Sequence, residues 1–175
     1  GASDFNIMQG DTLRNPKILQ GGEVAKFDCV IANPPFSLEK WGSVEWSSDK
    51  YGRNIWGTPS DSCGDYAWIQ HMIASMAPGK GRMAVVMPQG VLFRGNEEGR
   101  IREKLVKSDM VEAVVTLGEK LFYGTGLSPC FLIIRKMKPA THSARVLMID
   151  GTKILTPKRA QNILEQKDVD QLFEL

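Results

Sequence analysis

Asn33-Pro34-Pro35-Phe36 closes the apolar run Phe27-Asp28-Cys29-Val30-Ile31-Ala32, so a rigid turn carries a bare amide oxygen and an aromatic ring out of a strand. Those two groups suit transfer of a methyl group to a planar amino nitrogen. Such a nitrogen delocalises its lone pair into its ring, so an acceptor must take its N–H hydrogens and draw the lone pair outward. The Asn33 side-chain oxygen is one acceptor, and the Pro34 carbonyl is a natural second. Proline fixes its own φ, offers no competing donor and keeps the preceding residue out of the helical region, which holds Asn33 in place. Phe36 can then stack on the face of a base swung out of its duplex. The plain rival is a double-proline turn that merely ends a strand.

The tetrapeptide resembles the catalytic motif of amino-group methyltransferases that use S-adenosylmethionine, especially those acting on the N6 amine of adenine in DNA. The same motif shape occurs in enzymes that methylate glutamine side chains of proteins or guanine amines of RNA. Tyr is commoner there at the fourth position, so Phe36 leans slightly toward DNA. Further along stand Met87-Pro88-Gln89-Gly90-Val91-Leu92-Phe93-Arg94-Gly95 and Leu121-Phe122-Tyr123-Gly124-Thr125-Gly126, with Gly10-Asp11-Thr12-Leu13 ahead of the motif. Taken in this order, the motifs resemble the modification subunit of type I restriction-modification systems, over roughly Ser3 to Lys136.

The resemblance implies catalytic roles for Asn33, Pro34, Pro35 and Phe36. It implies that Asp11 accepts a hydrogen bond from the adenine amine of S-adenosylmethionine, the cofactor. Phe93, Phe122 and Tyr123 would join Phe36 as walls of the base pocket. Double-stranded DNA is then the substrate, and separate specificity and restriction subunits are the partners. Each residue also has a plainer reading. Asp11 beside Gly10 can simply form a turn, and aromatics near sheet ends are often core. Trp41, Trp46, Tyr51 and Trp56, interleaved with Lys40, Lys50 and Arg53, either touch DNA or pack on one another. His71 and His142 have no partner visible in sequence and read as structural or solvated. Two other functions stay open: a protein-glutamine or RNA amino-methyltransferase, and a non-catalytic interaction module that keeps the fold.

The elements that must position these residues follow from the pattern. Phe5–Gln9 reads as a short strand and Phe27–Ala32 as a strand buried on both faces of a parallel sheet. Ser37 to Gly64 is a long connection. Asp65 is placed to cap a helix through about Met76, with Ile69, Met72, Ile73 and Met76 on one stripe. Arg82–Met87 is the next strand. Glu97–Lys107 is an amphipathic helix with Ile101, Leu105 and Val106 inward. Val111–Leu117 and Phe131–Arg135 are joined without a helix, which predicts an antiparallel pair. Arg145–Ile149 adds an edge strand. The expectation is an α/β, three-layer, Rossmann-like methyltransferase sheet, mostly parallel, with an antiparallel pair near its C-terminus. Residues 1–150 make the partial catalytic domain and residues 151–175 a polar tail, helical in part.

The chain has 175 residues, 42% hydrophobic and 24% charged, with net charge +2, ordinary values for one globular domain. A sequence pI near 8.5 permits nucleic-acid contact without arguing for it. Cys29, Cys63 and Cys130 have no metal-like spacing, so no metal is expected. Cys29 and Cys130 read as buried small residues of a reducing cytosol, hence a cytoplasmic protein. No stretch approaches a membrane span. The resemblance further implies that the sheet's first two strands, which hold the cofactor's methionine and ribose, are absent, and Gly1 reads as the start of an internal fragment. On that reading the chain alone binds S-adenosylmethionine very weakly and does not methylate. An unpaired edge of Phe27–Ala32 would then pair with Phe5–Gln9 or promote self-association.

Overall fold

The computed structural model describes residues 5–122 and 126–175. A small hairpin, β1 (Leu19–Gln20) and β2 (Glu23–Val24), comes first, followed by β3 (Cys29–Ala32), α1 (Ser43–Ser47) and α2 (Asp65–Ala74). After these come β4 (Arg82–Pro88), α3 (Asn96–Lys107), β5 (Val111–Leu117), β6 (Pro129–Arg135), β7 (Leu147–Gly151) and α4 (Gln166–Glu174). The longer strands form one sheet in the order β3-β4-β6-β5-β7. β3 pairs parallel with β4, and β5 with β7, while β6 runs against both β4 and β5. Four strands therefore point one way and one points back. This is a mixed α/β sheet containing the expected antiparallel β5–β6 pair.

Side-chain alternation decides what each face covers. Met83, Val85 and Met87 of β4 stand in register with Ile134, Leu132 and Cys130 of β6, and all six are buried. Helices α2 and α3 both pack on this face, through Tyr66, Ile69, Met72 and Ile73 and through Ile101 and Leu105. Val106 is exposed rather than inward, because it lies one residue past the buried stripe. The opposite face is covered unevenly. At its β5–β7 corner α4 sits so close that a Cβ on Gly151 would meet Leu172 Cδ2 at 2.5 Å and the Thr116 carbonyl at 2.9 Å. On the β3 side Ile31 is 76% exposed.

Three expectations fail at this edge. β3 is not buried on both faces; its residues alternate between exposed and half-buried. Cys29 is exposed for the same reason, in contrast to the fully buried Cys130. Phe5–Gln9 forms no strand and pairs with nothing in the sheet, leaving Phe5, Ile7 and Met8 exposed. An apolar strand pattern needs a neighbour to supply hydrogen bonds and cover, and β3 has one on only one side.

The long Ser37–Gly64 connection is a small core of its own. Trp41 and Trp46 meet edge to face at 5.5 Å between centroids and pack with Leu13 and Ala67 on the back of α2. This explains why α2 is buried nearly all round. Arg53, 1% exposed, pairs with Asp49 at 2.6 Å and donates to the carbonyls of Thr12 (2.8 Å) and Leu13 (2.7 Å). Its guanidinium lies 4.6 Å from the Trp46 ring centroid. The aromatics and Arg53 are therefore spent on self-packing, which removes the DNA-contact reading for Trp41, Trp46 and Arg53.

Arg53 Nη1 also lies 3.4 Å from His71 Nδ1. Burial, then the Arg53 charge, push the His71 imidazole down to about 4, with Asp49 opposing. His71 is thus neutral when folded and titrates near 6.5 when unfolded. Because its folded value is depressed, its contribution is intact above about 6.5 and is lost as pH falls toward 4. Melting followed from pH 7 to 4.5 should show a loss of about 2 kcal/mol attributable to this residue. A His71→Gln variant should flatten that slope, and an unchanged slope would exclude His71 as its source.

Candidate active site

Because β3, β4, β5 and β7 run the same way, their C-terminal ends lie along one edge of the sheet. That edge is where ligands bind in open α/β sheets. It gathers Asn33 after β3, the Pro88-Gln89-Gly90 exit of β4 and the Leu117–Phe122 exit of β5. Gln89 ties two of these together, its Nε2 donating to the Leu117 carbonyl at 3.3 Å and its backbone N–H to Ser128 at 3.1 Å. Asn33 is exposed, and its side-chain amide has no hydrogen-bond partner among the described residues. Pro34 is buried, Pro35 exposed and Phe36 half-buried. The turn is anchored at its buried proline, while its amide is free of partners among the described residues.

What fixes the turn lies outside the motif. Ser37 adopts the left-handed conformation at φ 50°, and its N–H donates to Asp65 Oδ1 at 2.7 Å. A non-glycine residue persists there only when its surroundings over-determine it. Contrary to the expectation from sequence, Asp65 does not cap α2; Gly64 holds the cap position, and a Cβ there would meet Trp41 Cγ at 2.9 Å. The Asp65 carboxylate, fully buried, is spent instead on Ser37 and on an ion pair with Arg94. Arg94 reaches Glu98 at 2.5 Å as well, so one acid joins the β3 turn, the start of α2 and the loop after β4.

Cys63, Asp65 and Glu98 place ligand atoms within 4.8 Å of one another. Arg94 meets their negative charge through its ion pairs with Asp65 and Glu98. Burial, reinforced by the two acids, pushes the Cys63 thiol up to about 12.

The aromatic candidates separate. Phe36 and Phe122 come together, ring centroids 6.1 Å apart at 77°. Phe122 also lines a cavity of about 250 Å³ with Leu117, Leu121, Phe131 and Ile163. Phe93, 73% exposed, stands beside Arg94 on the same edge without packing against the pair. Tyr123 lies outside the described residues.

Asp11 is exposed and held by its own turn. Oδ1 accepts from the N–H groups of Leu13 (3.1 Å) and Arg14 (2.9 Å), and Oδ2 from Arg14 Nη1 (3.0 Å). Partial burial works upward on its pKa, but the Arg14 hydrogen bonds and charge outweigh it, so the acid sits below its usual value. Arg14 also donates to the Lys40 carbonyl, which brings the Asp11 turn against the segment following Phe36. Three of about four acceptor positions on the carboxylate are used, which leaves room for one further donor such as an adenine amine. That single acceptor does not by itself make a site for a whole adenosyl cofactor.

Sequence reasoning missed Asp65 and Arg94 as supports of the turn. The signal was a charged residue opening an otherwise apolar helix, which was assigned to capping.

The family model for N-6 DNA methylase matches residues 1–175. The chain is 30% identical to the type I restriction enzyme MjaVII methylase subunit of Methanocaldococcus jannaschii, over 99% of this chain and 30% of that protein. It is also 30% identical to the HindI methylase subunit of Haemophilus influenzae, over 86% of this chain and 32% of that protein. The crystal structure of a type I restriction-modification methyltransferase subunit from Streptococcus thermophilus superposes with a TM-score of 0.81 at 28% identity, covering 93% of this chain and 34% of that one. The chain thus spans about a third of the length of these relatives.

Proposed function

The chain belongs to the N-6 DNA methylase family, and from that premise we propose that it forms the acceptor side of an adenine N6 methyltransferase in a type I restriction-modification system. The methyl donor is S-adenosylmethionine, and the specificity and restriction subunits are its partners. The observation that carries this reading is the exposed Asn33 amide, without a hydrogen-bond partner among the described residues, in the same turn as the Phe36 ring that meets Phe122. In this reading the sheet is the later part of a Rossmann-like methyltransferase sheet, residues 1–150 are catalytic, and residues 151–175 brace them. The remaining two thirds of the relatives' length would supply the rest of the cofactor site.

The chain's own contribution is to receive and orient the base. Extruding an adenine from duplex DNA costs a few kcal/mol. Stacking on Phe36 returns roughly 1–3 kcal/mol of that. The Asn33 oxygen and the Pro34 carbonyl accept the two N–H hydrogens of the amine, favouring a pyramidal nitrogen whose lone pair is localised rather than shared with the ring. Catalysis of this kind works by placement and fixed dipoles rather than by a strong base. An amide suits the position because it accepts hydrogen bonds without adding a charge.

The test uses a polypeptide of the relatives' full length carrying these residues, assembled with its specificity subunit. Incubated with the methyl donor, unmethylated duplex DNA should yield N6-methyladenine by mass spectrometry, while a release-factor peptide should remain unmodified. Modification of the peptide alone would replace this reading with protein-glutamine methylation. Transfer to neither would leave the interaction-module reading.

A further inference from the structure

The tail beyond β7 returns to the edge that carries the aromatic pair. Thr156 and Ile163 exchange backbone hydrogen bonds of 2.8 and 3.0 Å, closing a loop between them. Thr156 Oγ1 donates to Asp168 Oδ2 at 2.8 Å, which pins that loop to α4. From this base the tail donates to three successive carbonyls after β5. Asn162 Nδ2 reaches Glu119 at 3.0 Å, the Asn162 backbone N–H reaches Lys120 at 2.9 Å, and Gln161 Nε2 reaches Leu121 at 2.8 Å. The next residue is Phe122.

The segment 119–122 belongs to no strand, so these carbonyls have no sheet ladder to satisfy them. Lys120 lies at φ 58°, a conformation that needs outside support. Ile163 and Leu164 complete the contact by lining the cavity that Phe122 faces. We infer that Gln161 and Asn162 are positioning residues for the base pocket: they strap down Glu119–Leu121 so that Phe122 stands edge-on to Phe36. The inference rests on the reading of Asn33–Phe36 as the base-receiving turn. Neither side chain touches the substrate; both act through Phe122.

The closing experiment pairs Gln161→Glu with Asn162→Asp in the full-length assembled enzyme. These changes remove the two side-chain donors at nearly constant volume. The probe is a recognition duplex carrying 2-aminopurine in place of the target adenine, whose fluorescence reports extrusion and stacking. The double variant should lose roughly tenfold in kcat/KM for DNA, with a weakened 2-aminopurine response and an unchanged KM for the methyl donor. Asn162→Gln, which keeps a donor, should recover part of the loss. The single Gln161→Leu variant carries the test if the double variant does not fold, with a loss of about threefold expected. A wild-type 2-aminopurine response and wild-type kcat/KM would overturn the inference. Equal losses toward DNA and methyl donor would also overturn it, as the mark of a general folding role. An Asn33→Ala control separates the two readings: if it methylates normally, the base-pocket reading has failed and not merely the strap.

Discussion

Replacing Asn33 with alanine should lower methyl transfer by the full-length enzyme about 10²- to 10³-fold, the scale found when one preorganised polar group is removed from an active site. On the proposed reading the loss should fall on kcat, because the amide would act on the amine at the moment its lone pair is drawn out of conjugation. Folding should be untouched, since the Asn33 side chain is exposed and makes no hydrogen bond among the described residues. Asn33→Asp keeps an acceptor and should retain more activity than Asn33→Ala, although its charge alters the site. Single-turnover rates on duplex DNA, with melting curves as a control, decide the matter. An alanine variant within twofold of wild type would take Asn33 out of the mechanism.

Arg53→Met should be strongly destabilising, costing about 3–5 kcal/mol, because it strips the buried Asp49 carboxylate of its counter-charge. The carbonyls of Thr12 and Leu13 lose their donor as well. Those two residues follow Asp11, so the turn that would meet the cofactor's adenine should loosen with the fold. A double variant that also carries Asp49→Asn should regain part of the loss, since the isolated charge is then gone. Urea unfolding measures the energies, and hydrogen exchange at Leu13 and Arg14 reports the turn. A cost below about 1 kcal/mol would show that water reaches Asp49 and that the pair is not a structural hub.

Much of the sheet was legible in the sequence. Met83, Val85 and Met87 alternate cleanly, and the short helix-free link between β5 and β6 leaves antiparallel pairing as the natural outcome. The core stripe of α2 was readable from Ile69, Met72 and Ile73 because a helix repeats every 3.6 residues, although the helix ends at Ala74 and Met76 is buried just beyond it. Phe5–Gln9 and Cys29 failed because periodicity states what a strand wants to cover, not whether a neighbour is present. The Trp41–Trp46–Arg53 cluster failed for a related reason: a loop with aromatics and cations looks alike whether its rings face solvent or one another.

The sequence by itself determined the rigid Asn33–Phe36 turn, since two prolines restrict the backbone locally wherever they occur. It also determined the strand that delivers this turn and the apolar faces that bury the sheet. Only the tertiary structure decided what holds the turn in place: Asp65, twenty-eight residues beyond Ser37, and Arg94 behind it. It alone brought Phe122 to Phe36 and the tail to Glu119–Leu121. Those contacts join segments far apart in the chain, and hydrogen-bond donors and acceptors carry no label of their partner until the fold brings them within reach.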